Sequence, residues 1–428
     1  MSFPCHSVLV ATNWLLWLLS AVPFAAKTAA TVVPFHGAAF DAALVGIDAD
    51  WNISFLASDR PHLVPCSSLV RWGAYIDNDR DVCVFLADDS LLVVDQVKIG
   101  GEGVTITTDL WGPLEISRQR VRGIVLAPPG ETLQRDRLWQ QIQQATGIDD
   151  RILLVNGDQL TGRLLASPDE ERDSFEQSPL RVVRRDGERP LTIDRNDVQA
   201  VIFNPALVDP ATIGETSVRL GLRDGTLLAV ERVEPRGARS ELTLVGGQLL
   251  SAEATRIWEA ARFIQPLSNQ LTYLSDLEPA SYKHIPFLHL DWPWARDRSV
   301  LGGRLRTNRT VSLKGIGMHS TSRLAYALGG QYRTFCTELA LDQQSRSGGS
   351  VTFQVFLDQS TREPAGSWVL AYQSPIVRGG QPPLPISVDV SGAQRLALIV
   401  GFADRGDQLD YANWLNARLI PVIGTDRE

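Results

Sequence analysis

Between Phe40 and Pro266 the chain repeats itself, and the repeat leaves few folds open. One copy opens at residues 86–92 (LADDSLL) and closes at 114–125 (LEISRQRVRGIV). The next opens at 154–162 (LVNGDQLTG) and closes at 191–203 (LTIDRNDVQAVIF). A third opens at 222–228 (LRDGTLL) and closes less clearly around 257–264, while residues 40–73 read as a divergent first copy. Asn156-Gly157 and Asp224-Gly225 supply the positive φ of a tight hairpin turn between runs of Val, Leu and Ile. Alternation such as Leu180-x-Val182 or Leu191-x-Ile193 sends every second side chain to one face. The closing Arg118-x-x-Val121-x-x-Ile124, echoed by Arg195-x-x-Val198-x-x-Val201, reads as a short turn followed by a buried strand.

Each copy is therefore expected to be a small, strongly bent sheet of four or five strands, resembling at the level of pattern an SH3-like or Sm-like barrel. The RNA role of Sm-like units is not carried over, because the copies are acidic and lack a basic, aromatic stripe. A net charge of −8 argues against nucleic acid as a partner in the same way. Residues 131–145 (ETLQRDRLWQQIQQA) contain no Gly or Pro and place Leu138 and Ile142 four apart, which predicts a helix joining the second and third copies. Five acidic residues between Ser167 and Pro179 predict a solvated loop. For residues 251–263 the repeat favours strand and local propensity favours helix.

From Tyr273 to Leu419 strand-like runs follow at short spacing, the signature of a sandwich. Val351, Phe353, Val355 and Leu357 alternate on one face, and residues 386–390 and 396–400 form two further runs. A jelly roll of about eight strands fits this spacing. The ordered series of residues 273–279 (YLSDLEP), 314–320 (KGIGMHS), 324–328 (LAYAL), 332–335 (YRTF) and 410–414 (DYANW) resembles the NPCBM family, whose β-sandwiches are carbohydrate-binding modules. The resemblance implies a galactose-binding-like sandwich and a glycan partner. Gly315 and Gly317 are expected to serve the backbone at a structural turn. Where the family tends to Asp-Asp and Asp-Gly, this chain has Asp342-Gln343 and Asp358-Gln359, which weakens a calcium site there. Tyr411 stands where the family more often has His.

The candidate carbohydrate-binding residues are Trp292, Trp294, His319, Asp342, Trp368, Asp410 and Trp414. A flat indole stacks on a sugar ring and carboxylate or imidazole groups bond its hydroxyls, whereas the structural alternative makes each Trp core and His319 an internally bonded imidazole. Trp292 and Trp294 flank a Pro in an Arg-rich segment, so a loop is expected to expose them. No Gly-x-Ser-x-Gly elbow, HExxH helix or Walker loop occurs, and no framed carboxylate pair marks a glycosidase. No catalytic residue, metal site or cofactor is expected.

Val8 to Ala26 is almost unbroken apolar sequence followed by Lys27-Thr28-Ala29-Ala30, which reads as an export signal or an uncleaved N-terminal anchor. Any membrane contact runs through that segment. Cys66 and Cys83 either pair in an oxidising compartment or are buried thiols. The expected organisation is all-β. A leader at 1–30 precedes β-repeats at 31–129, a helical connector at 130–149, β-repeats at 150–266 and the sandwich at 270–421. It describes an exported, non-catalytic glycan-binding protein, secreted, periplasmic or envelope-associated, with its sandwich displayed on a rod of repeats. The alternatives are an envelope interaction scaffold and an accessory subunit of a separate glycoside hydrolase.

Overall fold

The computed structural model describes residues 29–422, apart from 79–80, 166–178, 186, 188, 215, 268–270, 288–289 and 361–367. The leader up to residue 28 and nearly all of the acidic loop at 167–179 lie outside the described residues. What is described is almost entirely antiparallel β-structure.

In each of the four copies the first strand pairs antiparallel with the last. Ala30–Pro34 pairs with Leu69–Gly73 and Val82–Leu86 with Val121–Val125. Asp150–Leu154 pairs with Val198–Ile202, and Val218–Leu222 with Ala261–Pro266. The turn before each of the first three closing strands is a single 3-10 turn: Cys66–Ser68, Arg118–Arg120 and Arg195–Asp197. The fourth copy replaces it with the helix Ala254–Ala260 between Leu249–Glu253 and Ala261–Pro266. Both readings of residues 251–263 are thus realised, one after the other. The opening turns form as their dipeptides require: Gly157 and Gly225 each sit at φ +93°. At Gly225 a Cβ would fall 2.3 Å from the Asn78 nitrogen, so that turn also depends on close approach.

The copies do not follow one another as a rod. The closing strand of the second pairs with that of the third, and the closing strand of the fourth pairs with that of the first at Phe263 and Gly73. Leu91 of the second copy pairs with Leu227 of the fourth. One continuous core results, with Val32, Ile124, Ile152, Val201, Leu228 and Ile264 all fully buried. Each such side chain contributes about 1.5–3 kcal/mol by leaving water. Closing strands rich in Val and Ile can be covered on both faces, which lets the copies share edges.

The helix Thr132–Gln143 buries Leu138, Trp139 and Ile142 against Phe85 and Val125. Its other contribution is polar, since Arg135 and Asp136 are both 2 % exposed.

The sandwich has two six-stranded sheets. The first runs Ala295–Arg296, Gly315–His319, Tyr411–Pro421, Tyr332–Leu341, Leu384–Asp389, with Thr272–Tyr273 also on the long last strand. The second runs Ser281–His284, Ser322–Ala327, Arg395–Phe402, Ser350–Asp358, Val369–Gln373, with Val377–Arg378 beside Ser350–Asp358. Short flanking strands raise the count above the eight expected. Val351, Phe353 and Val355 meet Ile316, Met318 and Trp414 in the core between the sheets.

A hairpin, Leu305–Thr307 with Thr310–Ser312, carries the sandwich onto the repeats. Val311 N–H donates to the Tyr75 carbonyl at 2.8 Å and its side chain joins the cluster of Tyr75, Leu138 and Trp139. Arg306 grips two carboxylates at once: Asp77 at 2.7 and 2.6 Å, and Asp136 at 3.0 and 2.6 Å. Arg304 adds its backbone N–H and its Nε to Asp136, bonds Asp77, and lays its guanidinium 4.1 Å from the centre of the Trp139 ring. Burial alone would raise both carboxyls, but the arginine hydrogen bonds and charges outweigh it. Both lie below the ordinary range, Asp136 at about 2.

Candidate functional site

Strand parity organises the site. His319 ends the Gly315–His319 strand and faces Tyr411, the first residue of the neighbouring strand, as a cross-strand pair. In that pairing Ile316, Met318, Ala412 and Trp414 point into the core, so His319, Tyr411 and Asn413 point to the other side. The glycines of the motif make this pairing possible. A Cβ on Gly315, at φ +150°, would lie 2.5 Å from the Trp414 carbonyl oxygen, and one on Gly317 would lie 2.3 Å from that of Arg298. They stand within a strand rather than at the expected turn. Lys314 before them bonds Asp276 at 2.5 Å and Asp297 at 3.1 Å and approaches the Tyr273 ring, which ties the first two motifs of the series together.

On the His319–Tyr411 pair lies Trp292, half-buried, delivered by the loop ahead of Ala295–Arg296. The Trp292 and His319 rings are stacked, with centroids 4.6 Å apart and planes 7° apart. Tyr411 leans on both at 5.9 and 5.8 Å, and His284 meets His319 edge-on at 5.9 Å. One face of the indole is therefore taken by imidazole. His319 Nδ1 bonds the Ser320 carbonyl at 2.8 Å, leaving Nε2 with no hydrogen-bond partner among the described residues. Burial holds the imidazole below its ordinary pKa, against the opposing pull of Ser320 and Asp407. The residue is 3 % exposed, and Nε2 is the ring atom left to accept a hydroxyl hydrogen.

Asp410 lies beneath, fully buried, and is structural. It accepts Ser320 Oγ at 2.6 Å and the Ser350 N–H at 2.9 Å. Burial raises its carboxyl to about 6, the two hydrogen bonds only partly opposing. Asp342, expected at the ligand, is 3 % exposed and caps its own turn by accepting Gln344 N–H at 3.0 Å, with Asn413 on its other oxygen at 3.2 Å. Trp414, also expected there, is core: it is fully buried and meets Phe353 edge-on at 4.9 Å. It stands three positions after Tyr411, so the pleat sends it to the opposite face. Trp294 packs on the core under Arg296, and Trp368 is half-buried ahead of the edge strand Val369–Gln373. Among the described residues no ring contact joins either to the cluster. The four tryptophans are scattered, and only Trp292 gathers with His319.

In the sequence Tyr411 stands out only as a departure from the family pattern, and His284 not at all. The cross-strand register pairs the first with His319, while the second has no local signal and is placed by the fold. Cys66, Cys83 and Cys336 are free thiols, the first two buried and pushed up to about 12 by that burial. No group of three or more His, Cys, Asp or Glu able to hold a metal occurs among the described residues, and none of their helices is long and apolar enough to cross a membrane.

The NPCBM/NEW2 domain model matches residues 270–420. A CBM51 module of a Clostridium perfringens GH95 in complex with methyl-galactose is 25% identical, covering 35% of this chain and 99% of that one at a TM-score of 0.30. A Clostridium perfringens ZmpB structure holding CBM51-2 with GlcNAc is 23% identical over 46% of this chain and 41% of that one, also at 0.30. A Renibacterium salmoninarum protein named as an endo-alpha-N-acetylgalactosaminidase is 26% identical over 119 residues, 28% of this chain. The chain spans only 7% of that relative's length. Its C-terminal sandwich, residues 270–420, is an NPCBM/NEW2 domain.

Proposed function

We propose that this protein binds a glycan through the rim of its sandwich, with a sugar ring stacked on the outer face of Trp292 and a hydroxyl donated to His319 Nε2. The observation that carries the reading is the Trp292–His319–Tyr411 cluster: a half-buried indole backed by an imidazole and flanked by a phenol, in a domain of a carbohydrate-binding family. Trp294, Trp368, Asp342, Asp410 and Trp414 take no direct part. The protein acts without catalysis of its own, and the apolar leader exports or anchors it, so the glycan belongs to the cell envelope or its surroundings.

Calorimetry of the full chain against methyl-galactoside and N-acetylglucosamine, beside a glycan array, tests this. Binding abolished by Trp292→Ala is the expected result. An array with no hit, or hits unchanged in Trp292→Ala, overturns it.

A further inference from the structure

The loop that carries Trp292 is held at its backbone. Trp292 N–H donates to His284 Nδ1 at 3.2 Å, and the Trp292 carbonyl accepts the Tyr282 hydroxyl. The His284 side chain is 3 % exposed, and its Nε2 lies 3.2 Å from the Ser320 carbonyl. That carbonyl also receives His319 Nδ1, and Ser320 Oγ is fixed by Asp410. The bonds of His284 admit one form of the ring: neutral, hydrogen on Nε2, lone pair on Nδ1. Its lone pair holds the backbone N–H of Trp292, beside the Tyr282 hydroxyl on the carbonyl.

We propose that His284 is a positioning residue that keeps Trp292 in its sugar-facing pose only while the imidazole is neutral, so that acid loosens the glycan site. The proposal rests on the glycan reading of the same cluster. One solvent proton binds at Nδ1, and the nitrogen that accepted the Trp292 N–H becomes a donor. The Asp291 carboxylate stands ready for the new N–H, with Oδ1 3.7 Å from Nδ1 and its side chain 86 % exposed. Asp291 adjoins Trp292 in the chain, so exchanging one bond for the other turns the very segment that presents the indole. The other titratable groups around the ring are Tyr282 on its own strand, His319 on the facing strand, Asp407 in the loop before the last strand, and Asp410 and Tyr411 at that strand's start. The phenols stay neutral in this range, but Asp410, raised to about 6, takes its proton within it, so the two imidazoles and Asp410 are the groups to separate.

The test uses the full chain in two arms. In the first, the Trp292 indole N–H resonance, assigned with Trp292→Phe, is followed from about pH 7.5 to about pH 5.5, where imidazoles take their proton. It is expected to shift with one titration, and to stay fixed in His284→Asn, whose amide oxygen can accept the Trp292 N–H but takes no proton. In the second, methyl-galactoside and N-acetylglucosamine are titrated at the two ends of that range. Wild-type binding is expected to weaken at the acid end of the range, by the linkage of one proton. His284→Asn binds more weakly than wild type near pH 7.5 but changes less than about twofold across the range, whereas His319→Gln keeps the slope of whatever binding remains. A wild-type Trp292 resonance that does not move, a slope that survives in His284→Asn, or one that vanishes only with His319→Gln or only with Asp410→Asn overturns the proposal. If neither sugar binds at any pH, the glycan reading fails, and the indole titration alone still decides whether His284 governs Trp292.

Discussion

Replacing Asp136 with Ala should uncouple the sandwich from the repeats, and the structure sets the size of the effect. Asp136 accepts four hydrogen bonds from Arg304 and Arg306, and its side chain is 2 % exposed. Without it, Arg306 retains only Asp77, Arg304 loses the partner of its backbone N–H, and the junction holds an excess of buried positive charge. Removing one partner of such a buried cluster costs about 3–5 kcal/mol. Linkage gives an independent figure of the same order. A carboxyl held at about 2 against an ordinary 3.8 contributes about 2–3 kcal/mol at neutral pH. The sign follows from the depression: the contribution is complete above about pH 4 and is lost as pH falls through about 2. Urea denaturation near neutral pH, repeated through the acid range, measures both. Asp136→Ala is expected to lose about 3–5 kcal/mol and to show a shallower acid limb, since one of the protons taken up on unfolding is gone. Asp136→Asn, which keeps one acceptor, should fall between. A loss below about 1 kcal/mol, or an acid limb identical to wild type, would refute the claim that this junction is a desolvated charge cluster.

Asp410 should behave with the opposite sign. Its raised carboxyl means that the folded state prefers the proton, so stability falls as pH rises from about 4 through about 6 and is level beyond. Asp410→Asn should flatten that slope, whereas Asp410→Ala, which leaves Ser350 N–H and Ser320 Oγ unpartnered, should cost about 2–4 kcal/mol at any pH; denaturation across the range separates them. Trp414→Ala should cost about 3–5 kcal/mol in thermal or urea unfolding, through the cavity left beside Phe353. A smaller loss joined to a specific loss of sugar binding would return Trp414 to the ligand. Gly315→Ala should fail to fold or lose several kcal/mol by the same assay, because its Cβ meets the Trp414 carbonyl in a backbone conformation L-residues avoid.

Much of the fold can be read from the residues. The turn dipeptides, the alternation around Leu180 and Val351, and the Arg-x-x-Val closing motif all describe local geometry, and local geometry is what a sequence encodes directly. How the copies pair is not local: Val121–Val125 meets Val198–Ile202, and Leu91 meets Leu227, through edges that look alike in every copy. The junction is also hidden, because Asp77, Asp136, Arg304 and Arg306 lie in three distant segments and each looks like an ordinary surface charge. Within the site, residue type suggested Trp414 and Asp342, whereas strand parity and burial decide against them. Parity from His319 selects Tyr411 instead. His284 has no signature at all, since its role exists only where a loop and two strands converge.

Glycan binding by this protein turns on the outer face of one indole, that of Trp292. A glycan array of the full chain, read side by side for wild type and Trp292→Ala at neutral pH, tests it most directly. Hits in the wild type that disappear in a Trp292→Ala protein of unchanged fold are the result this account requires. Hits that persist at full strength without Trp292 would place the sugar elsewhere and contradict it.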